Sequence, residues 1–230
     1  MPTRALVIAI DGPSGAGKGT VSRTIADRLS YRHIDTGAMY RAVAWLARHD
    51  GVDLADAEAV AQLARTASLD LGPAIVIDGH DVTAAIRTAD MDQAAAIVAQ
   101  HPPVRHVLVE RQRAYGLGGG VVMEGRDIGS VVFPSADVKV YLDASPEERA
   151  RRRALDAAHA ASRDMQGDVR GVADALAARD RTDRTRTASP LTIPDGAVYV
   201  DTTGLSIDAV VARVMALVQA RQSAFSPAAP

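Results

Sequence analysis

Short apolar runs alternate along this chain with longer stretches in which apolar residues recur every three or four positions, the rhythm of parallel strands joined by helices. The runs "ALVIAI" (5–10), "YRHID" (31–35), "GVVMEG" (120–125), "DVKVYLD" (137–143) and "AVYVDT" (197–202) read as strands of one sheet. After the first run, Val21, Ile25 and Leu29 are spaced to share one face of a helix. A long interval, residues 36–120, separates the second run from the third and carries helical patterns around "GAMYRAVAWLARH", "AEAVAQLARTA" and "HPPVRHVLVERQRAY". In its middle, Gly72-Pro73 and Asp78-Gly79 bracket β-branched residues, which predicts a small antiparallel insert. No internal repeat is visible, and the last residues, 222–230, read as a disordered tail. The pattern predicts one α/β domain over 1–230, a parallel sheet flanked by helices.

Composition narrows the function. With 230 residues, 47% of them hydrophobic, the chain can bury a substantial core. A formal charge of −2 argues against a general role on nucleic-acid polymers or anionic membranes and favours small ligands. The lack of cysteine excludes disulfides, a thiolate nucleophile and a cysteine-based zinc site. No segment approaches the roughly 20 continuous apolar residues of a membrane span, and the opening residues lack a signal-peptide profile, so the expected location is the cytoplasm. Lys18 and Lys139 are the only lysines among 26 basic residues. A lysine retained inside a glycine loop in such a chain points to a need for a compact ammonium.

That loop is "GPSGAGKGT": Gly12, Pro13, Ser14, Gly15, Ala16, Gly17, Lys18, Gly19 and Thr20. Two glycines separated by four residues, then lysine, between a strand and a helix, have the spacing of a P-loop. Its backbone N–H groups wrap an anion while the lysine reaches the outer phosphates. Gly19 stands where the general motif has a Ser or Thr for magnesium, and Thr20 is the next hydroxyl. This GKGT ending resembles nucleoside monophosphate kinases more than GTPases. The chain has no asparagine, and so no Asn-Lys-x-Asp guanine motif.

Phosphoryl transfer needs a second anion site and cations over the transferred group. Three arginine-bearing stretches offer them. In "DTGAMYR", Thr36 and the backbone after it stand at a helix start, with Arg41 supplying charge. In "VVMEGRDIGSVVFP", Glu124, Arg126 and Asp127 lie at the carboxyl end of a strand, where open α/β sheets bind ligands. In "ARDRTDRTRTASPL", Arg179, Asp183 and Arg186 recur at i, i+4 and i+7 and share a face if the helix persists.

Taken together, "IDGPSGAGKGT", "DTGAMYRAV", "IRT", "PPVRHVLVERQR", "EGRDIGSVVFP", "LDASPEERARRR", "RDRTDRTR" and "SPL" resemble the bacterial cytidylate kinases, in the family's order and along nearly the whole chain. The resemblance implies a P-loop NTPase core, a monophosphate-binding insert within 36–115 and a helical lid over 145–166. It also implies transfer of the γ-phosphoryl group of ATP, with Mg2+, to CMP or dCMP by a monomer. It gives Lys18 and the loop from Gly12 to Thr20 to the ATP phosphates, with Thr20 near the metal. Thr36, Arg41 and Arg126 go to the CMP phosphate, Arg105 and Asp127 to cytosine, and Arg179, Asp183 and Arg186 to the sugar and phosphates. Arg149, Arg152 and Arg153, at i, i+3 and i+4 of the lid, would close over ATP. Lys18, Arg126, Arg152, Arg153 and Arg179 are then the catalytic cations, and Glu124 is a candidate to orient a magnesium-bound water.

The chemistry suits cytosine, whose N4 amino group donates to a carboxylate and whose N3 and O2 accept from a guanidinium. Uracil would set its O4 against Asp127, acceptor facing acceptor. One departure stands at Ala96, where the family offers the base a serine. Two other readings fit the same loop: a kinase of this fold acting on UMP, dTMP or shikimate, and a non-catalytic nucleotide-binding module.

Overall fold

The computed structural model describes residues 4–155 and 169–225. Its main sheet holds five parallel strands: β1 (Val7–Asp11), β2 (Arg32–Asp35), β6 (Val121–Gly125), β7 (Val138–Asp143) and β8 (Val198–Asp201), in the order β2-β6-β1-β7-β8. All five coincide with the apolar runs read from the sequence. The side-chain period of two divides them between two cores. Ile8 and Ile10 of β1, Val122 of β6 and Val140 and Leu142 of β7 face α1 (Lys18–Leu29) and the last helix, α8 (Ile207–Phe225). Ala9, Ile34, Val121 and Met123 point the other way, into the helical insert.

The interval between β2 and β6 folds as α2 (Thr36–His49), α3 (Ala57–Thr66), a three-stranded antiparallel sheet, α4 (Ala89–Val98) and α5 (Pro102–Tyr115). The small sheet comprises β3 (Leu69–Leu71), β4 (Ile75–Ile77) and β5 (His80–Asp81), in chain order, as the turn signals predict. Helix α2 joins insert to core, packing on α3, α4, β4 and β6 through a buried stripe that includes Met39, Val43 and Leu46.

Beyond β7, α6 (Pro146–Leu155) packs against α7 (Val169–Thr185). Residues 156–166 of the expected lid and 226–230 of the expected tail lie outside the described residues. The expectation of a tail from 222 is corrected for its first residues, because α8 continues to Phe225. There the ring is covered by the guanidinium of Arg4, 4.5 Å from its centroid, and that of Arg221, 4.6 Å away.

A second feature had no signal in the strand-and-helix pattern. Residues Ile128–Val132, just past β6, form one turn of π-helix, a form that recurs at functional sites. The buried carboxylate of Asp11, at the end of β1, accepts from the N–H groups of Ile128 and Gly129, both at 2.7 Å.

Because Met39 is fully buried where insert and core meet, Met39→Ala is expected to cost about 2–5 kcal/mol. A shift of the urea unfolding midpoint would report it.

Candidate active site

Three adjacent strands end in one row. Asp35 of β2 lies beside Glu124 of β6, and Gly125 of β6 lies beside Asp11 of β1, so the phosphate loop, the "EGRD" turn and the start of α2 open into one cleft at the carboxyl edge of the sheet. The cleft has a volume of about 980 Å³ and is lined by the loop and by Arg41, Asp92, Arg126, Arg152, Arg153 and Arg179, among others.

The loop takes its shape from two tight approaches. A Cβ on Gly12, at φ +145°, would sit 1.9 Å from the carbonyl oxygen of Leu142, and one on Gly15, at φ +79°, would sit 2.9 Å from Cβ of Arg149. Gly17 gives α1 no side-chain cap, so the first N–H groups of that helix remain available to an anion. The Lys18 ammonium bends back to the carbonyl of Pro13 at 2.7 Å. Burial, reinforced by the positive field of Arg126, lowers its pKa to about 7. For Asp11 burial acts the other way and raises the carboxyl to about 6, against the pull of its two amide donors.

Gly19 stands beside a buried carboxylate: a Cβ there would lie 3.4 Å from Oε1 of Glu124, at the end of β6, an ordinary contact that leaves room for a small side chain. The same oxygen lies 3.0 Å from Nε2 of His33. The donors here, a carboxylate and the hydroxyl of exposed Thr20, are hard oxygens of the kind Mg2+ takes. Among the described residues no three His, Cys, Asp or Glu side chains are grouped to hold a metal unaided.

Most of the expected arginines converge, and each is held by a carboxylate, Arg152 by Glu148 at 2.8 Å and the others by aspartates. Nε of Arg126 donates to Asp183 at 3.0 Å, and Arg186 lies 3.4 Å from the other oxygen of Asp183 and 3.8 Å from Asp127. Arg105 donates to Asp127, both buried. Arg41 donates to Asp35 at 2.9 Å, while Arg41, Arg153 and Arg179 all reach Asp92. Burial would raise the carboxyls of Asp35 and Asp183, but their arginine partners outweigh it and hold both below the usual range. Burial and the nearby Arg126 lower the pKa of Arg179.

Two expectations meet a different geometry. The cap of α2 is Asp35, accepting from the N–H of Ala38 at 3.0 Å, while the Thr36 hydroxyl donates to the carbonyl of Glu124 at 2.7 Å. Arg149 does not face the cleft mouth with its helical neighbours. It is buried behind the loop, donating to the carbonyls of Ala144 and Ser14 and to Asp180, so its guanidinium braces the loop. Arg152 bridges from α6 to Thr202, with the carbonyl of Ala16 3.4 Å away. Ala96 sits half-buried on α4, its carbonyl accepting from Gln100.

Sequence reading passed over Asp11, His33, Asp35, Asp92 and Asp180 as site residues. Only Asp35 carried a local signal, an Asp before a helix with its acceptor aimed three residues on. The others act through long-range pairing.

A family model described as cytidylate kinase matches residues 8–220. A cytidylate kinase from Geobacillus kaustophilus (strain HTA426) is 47% identical over 223 residues, covering 95% of this chain and 98% of that protein. One from Pelotomaculum thermopropionicum is 47% identical over 219 residues, covering 93% and 96%. A bifunctional pantoate ligase/cytidylate kinase from Synechococcus sp. (strain WH7803) is 45% identical over 218 residues, covering 91% of this chain and 44% of its own length.

The Lys18 pKa gives a signed expectation. Between about pH 7 and 10.5 the folded chain holds fewer protons on Lys18 than the unfolded chain, so this group makes folding more favourable as pH rises through that window. A polyphosphate anion in the loop reverses the shift. Binding of a nucleoside triphosphate should take up close to one proton at pH 8.5 and almost none from this group at pH 6. Calorimetry in buffers of different ionisation enthalpy would measure this, and Lys18→Met should abolish the uptake.

Proposed function

The chain belongs to the cytidylate kinase family and transfers the γ-phosphoryl group of ATP to CMP or dCMP; within that reaction we propose the roles of its individual residues. The observation that carries the assignment is the meeting, in one cleft, of the phosphate loop with guanidiniums from α2, the "EGRD" turn, α6 and α7.

Lys18 and the amides from Gly12 to Thr20 cradle the ATP phosphates. Arg152 and Arg153 approach from α6, and Arg149 acts indirectly by bracing the loop. Arg41, Arg126 and Arg179 receive the CMP phosphate, with Thr36 beside them once its hydroxyl turns from the Glu124 carbonyl. Arg105 and Asp127 read cytosine, Asp183 accepts from the ribose hydroxyls, and Arg186 backs both carboxylates at 3.4 and 3.8 Å. Residues within 36–115 form the acceptor-binding insert, and α6 begins the lid.

The acceptor is itself an anionic nucleophile near neutral pH, its second pKa being about 6, so no general base is needed. The surrounding cations offset repulsion between two anionic substrates and stabilise charge on the transferring group. Mg2+ would be held by Thr20 and, through water, by Glu124, together with the nucleotide phosphates; when bound it neutralises those phosphates. We propose a monomer acting in the cytoplasm, because every assigned residue comes from one chain and its substrates are soluble nucleotides.

The direct test is ADP formation from ATP and Mg2+ with CMP, dCMP, UMP, AMP, GMP and dTMP side by side. CMP and dCMP should be preferred. Asp127→Asn should cut kcat/KM for CMP by about 10- to 100-fold and spare UMP, since an amide can donate to uracil O4. Unchanged cytosine preference in a folded variant would remove Asp127 from base reading. Ala96→Ser should tighten CMP binding by about 2- to 10-fold, the worth of one neutral hydrogen bond; titration calorimetry would show it.

A further inference from the structure

Among the described cleft carboxylates that have no part in the scheme above, Asp92 is the one that three arginines share. Asp92 lies in the first turn of α4, on the insert, and its side chain is 13% exposed. Three arginines from three other elements surround it. Arg41 of α2 is 3.7 Å from Oδ1, Arg179 of α7 is 3.4 Å from the same oxygen, and Arg153 of α6 donates to Oδ2. Nη1 of Arg179 also lies 3.4 Å from the Asp92 carbonyl oxygen. The Nε groups of Arg41 and Arg179 are buried with no hydrogen-bond partner among the described residues, so both guanidiniums keep a donor in reserve.

Stability alone does not call for this grouping. Arg41 already has Asp35 as its partner, and Arg179 lies near Asp183, whose carboxyl it helps hold low. What the three share is the cleft and an approach to the two oxygens of one carboxylate, each by a guanidinium nitrogen, the donor group that suits oxygen anions. A carboxylate among convergent arginines is the nearest thing a protein side chain offers to a phosphate.

We propose that Asp92 is a resident surrogate for the acceptor phosphate: in the ligand-free enzyme it gathers two of the arginines that will bind that phosphate, Arg41 and Arg179, together with Arg153 of α6, and CMP binds by displacing it. The inference rests on the assignment of Arg41 and Arg179 to the CMP phosphate. Displacement has a sign. Repulsion between Asp92 and an incoming dianion, and the loss of its own ion pairs, both oppose CMP, so Asp92 holds CMP affinity below what the arginines alone would give. It also relieves repulsion among three cations when no nucleotide is present, so the empty enzyme is more stable for having it.

Asp92→Asn removes the charge and keeps the shape. The expected results are CMP binding tightened about 5- to 50-fold by titration calorimetry, cytidine binding unchanged, a lower melting temperature without ligand, and a larger rise on adding CMP. CMP affinity that stays the same or weakens in the folded variant would overturn the proposal, as would equal tightening of cytidine, which lacks the phosphate. Asp92→Ser serves the same comparisons if the Asn variant does not fold. Arg41→Ala in both backgrounds separates this proposal from the reading beneath it. If Arg41→Ala leaves CMP binding intact in both, the assignment of the phosphate arginines falls; if it weakens CMP while Asp92→Asn fails to tighten it, the surrogate role alone falls.

Discussion

Like charges crowded into one cleft set the main constraint on this molecule. Arg41, Arg126, Arg152, Arg153, Arg179 and Lys18 all line it, as a transfer between two polyanions requires. Without substrates those cations would repel one another in a partly dry space. The protein meets the difficulty with carboxylates: Asp35 for Arg41, Asp183 for Arg126, Glu148 for Arg152 and Asp92 for Arg153 and Arg179, while behind the cleft Asp127 holds Arg105 and Asp180 holds Arg149. The buried pairs among these, such as Asp127 with Arg105 and Asp180 with Arg149, add little net stability, because desolvation offsets much of the attraction, but breaking one strands a charge. Their main effect is positional, since the partners usually come from different elements. Asp183 ties α7 to the turn after β6, and Asp127 ties that turn to α5 of the insert.

The low pKa of Lys18 follows from the same crowding. Burial and a neighbouring guanidinium leave the ammonium short of negative charge, and it turns to the Pro13 carbonyl for a partner. On the proposed role of the loop, a nucleotide phosphate would supply what that carbonyl cannot, a full opposite charge. The site is therefore electrostatically incomplete by itself, and ligand binding completes it.

Much of this was legible in the sequence, for a physical reason. The five strands are apolar runs, the glycine loop has fixed spacing, and the insert's hairpins are marked by Gly-Pro and Asp-Gly; each signal is local. Arginine type and helical spacing located the cations but could not say which anion holds each one when the cleft is empty. Arg149, Arg152 and Arg153 show the limit. They share a helical face by spacing, yet Arg149 is drawn inward by Asp180 and the Ser14 carbonyl, partners far away in the chain. The π-turn after β6 likewise answers to Asp11, more than a hundred positions earlier, which no window of local pattern could contain.

Asp11 carries one consequence of its own. It directly precedes the first glycine of the phosphate loop, and its two oxygens grip the turn that follows Asp127. The phosphate loop and the turn after β6 are thus surveyed from one benchmark, a single carboxylate with both its bearings taken. In-line transfer between two separately bound molecules is sensitive to an error of about 1 Å in their spacing. Such a transfer needs a fixed gauge between two seats, and here one side chain ties the phosphate loop to the turn after β6.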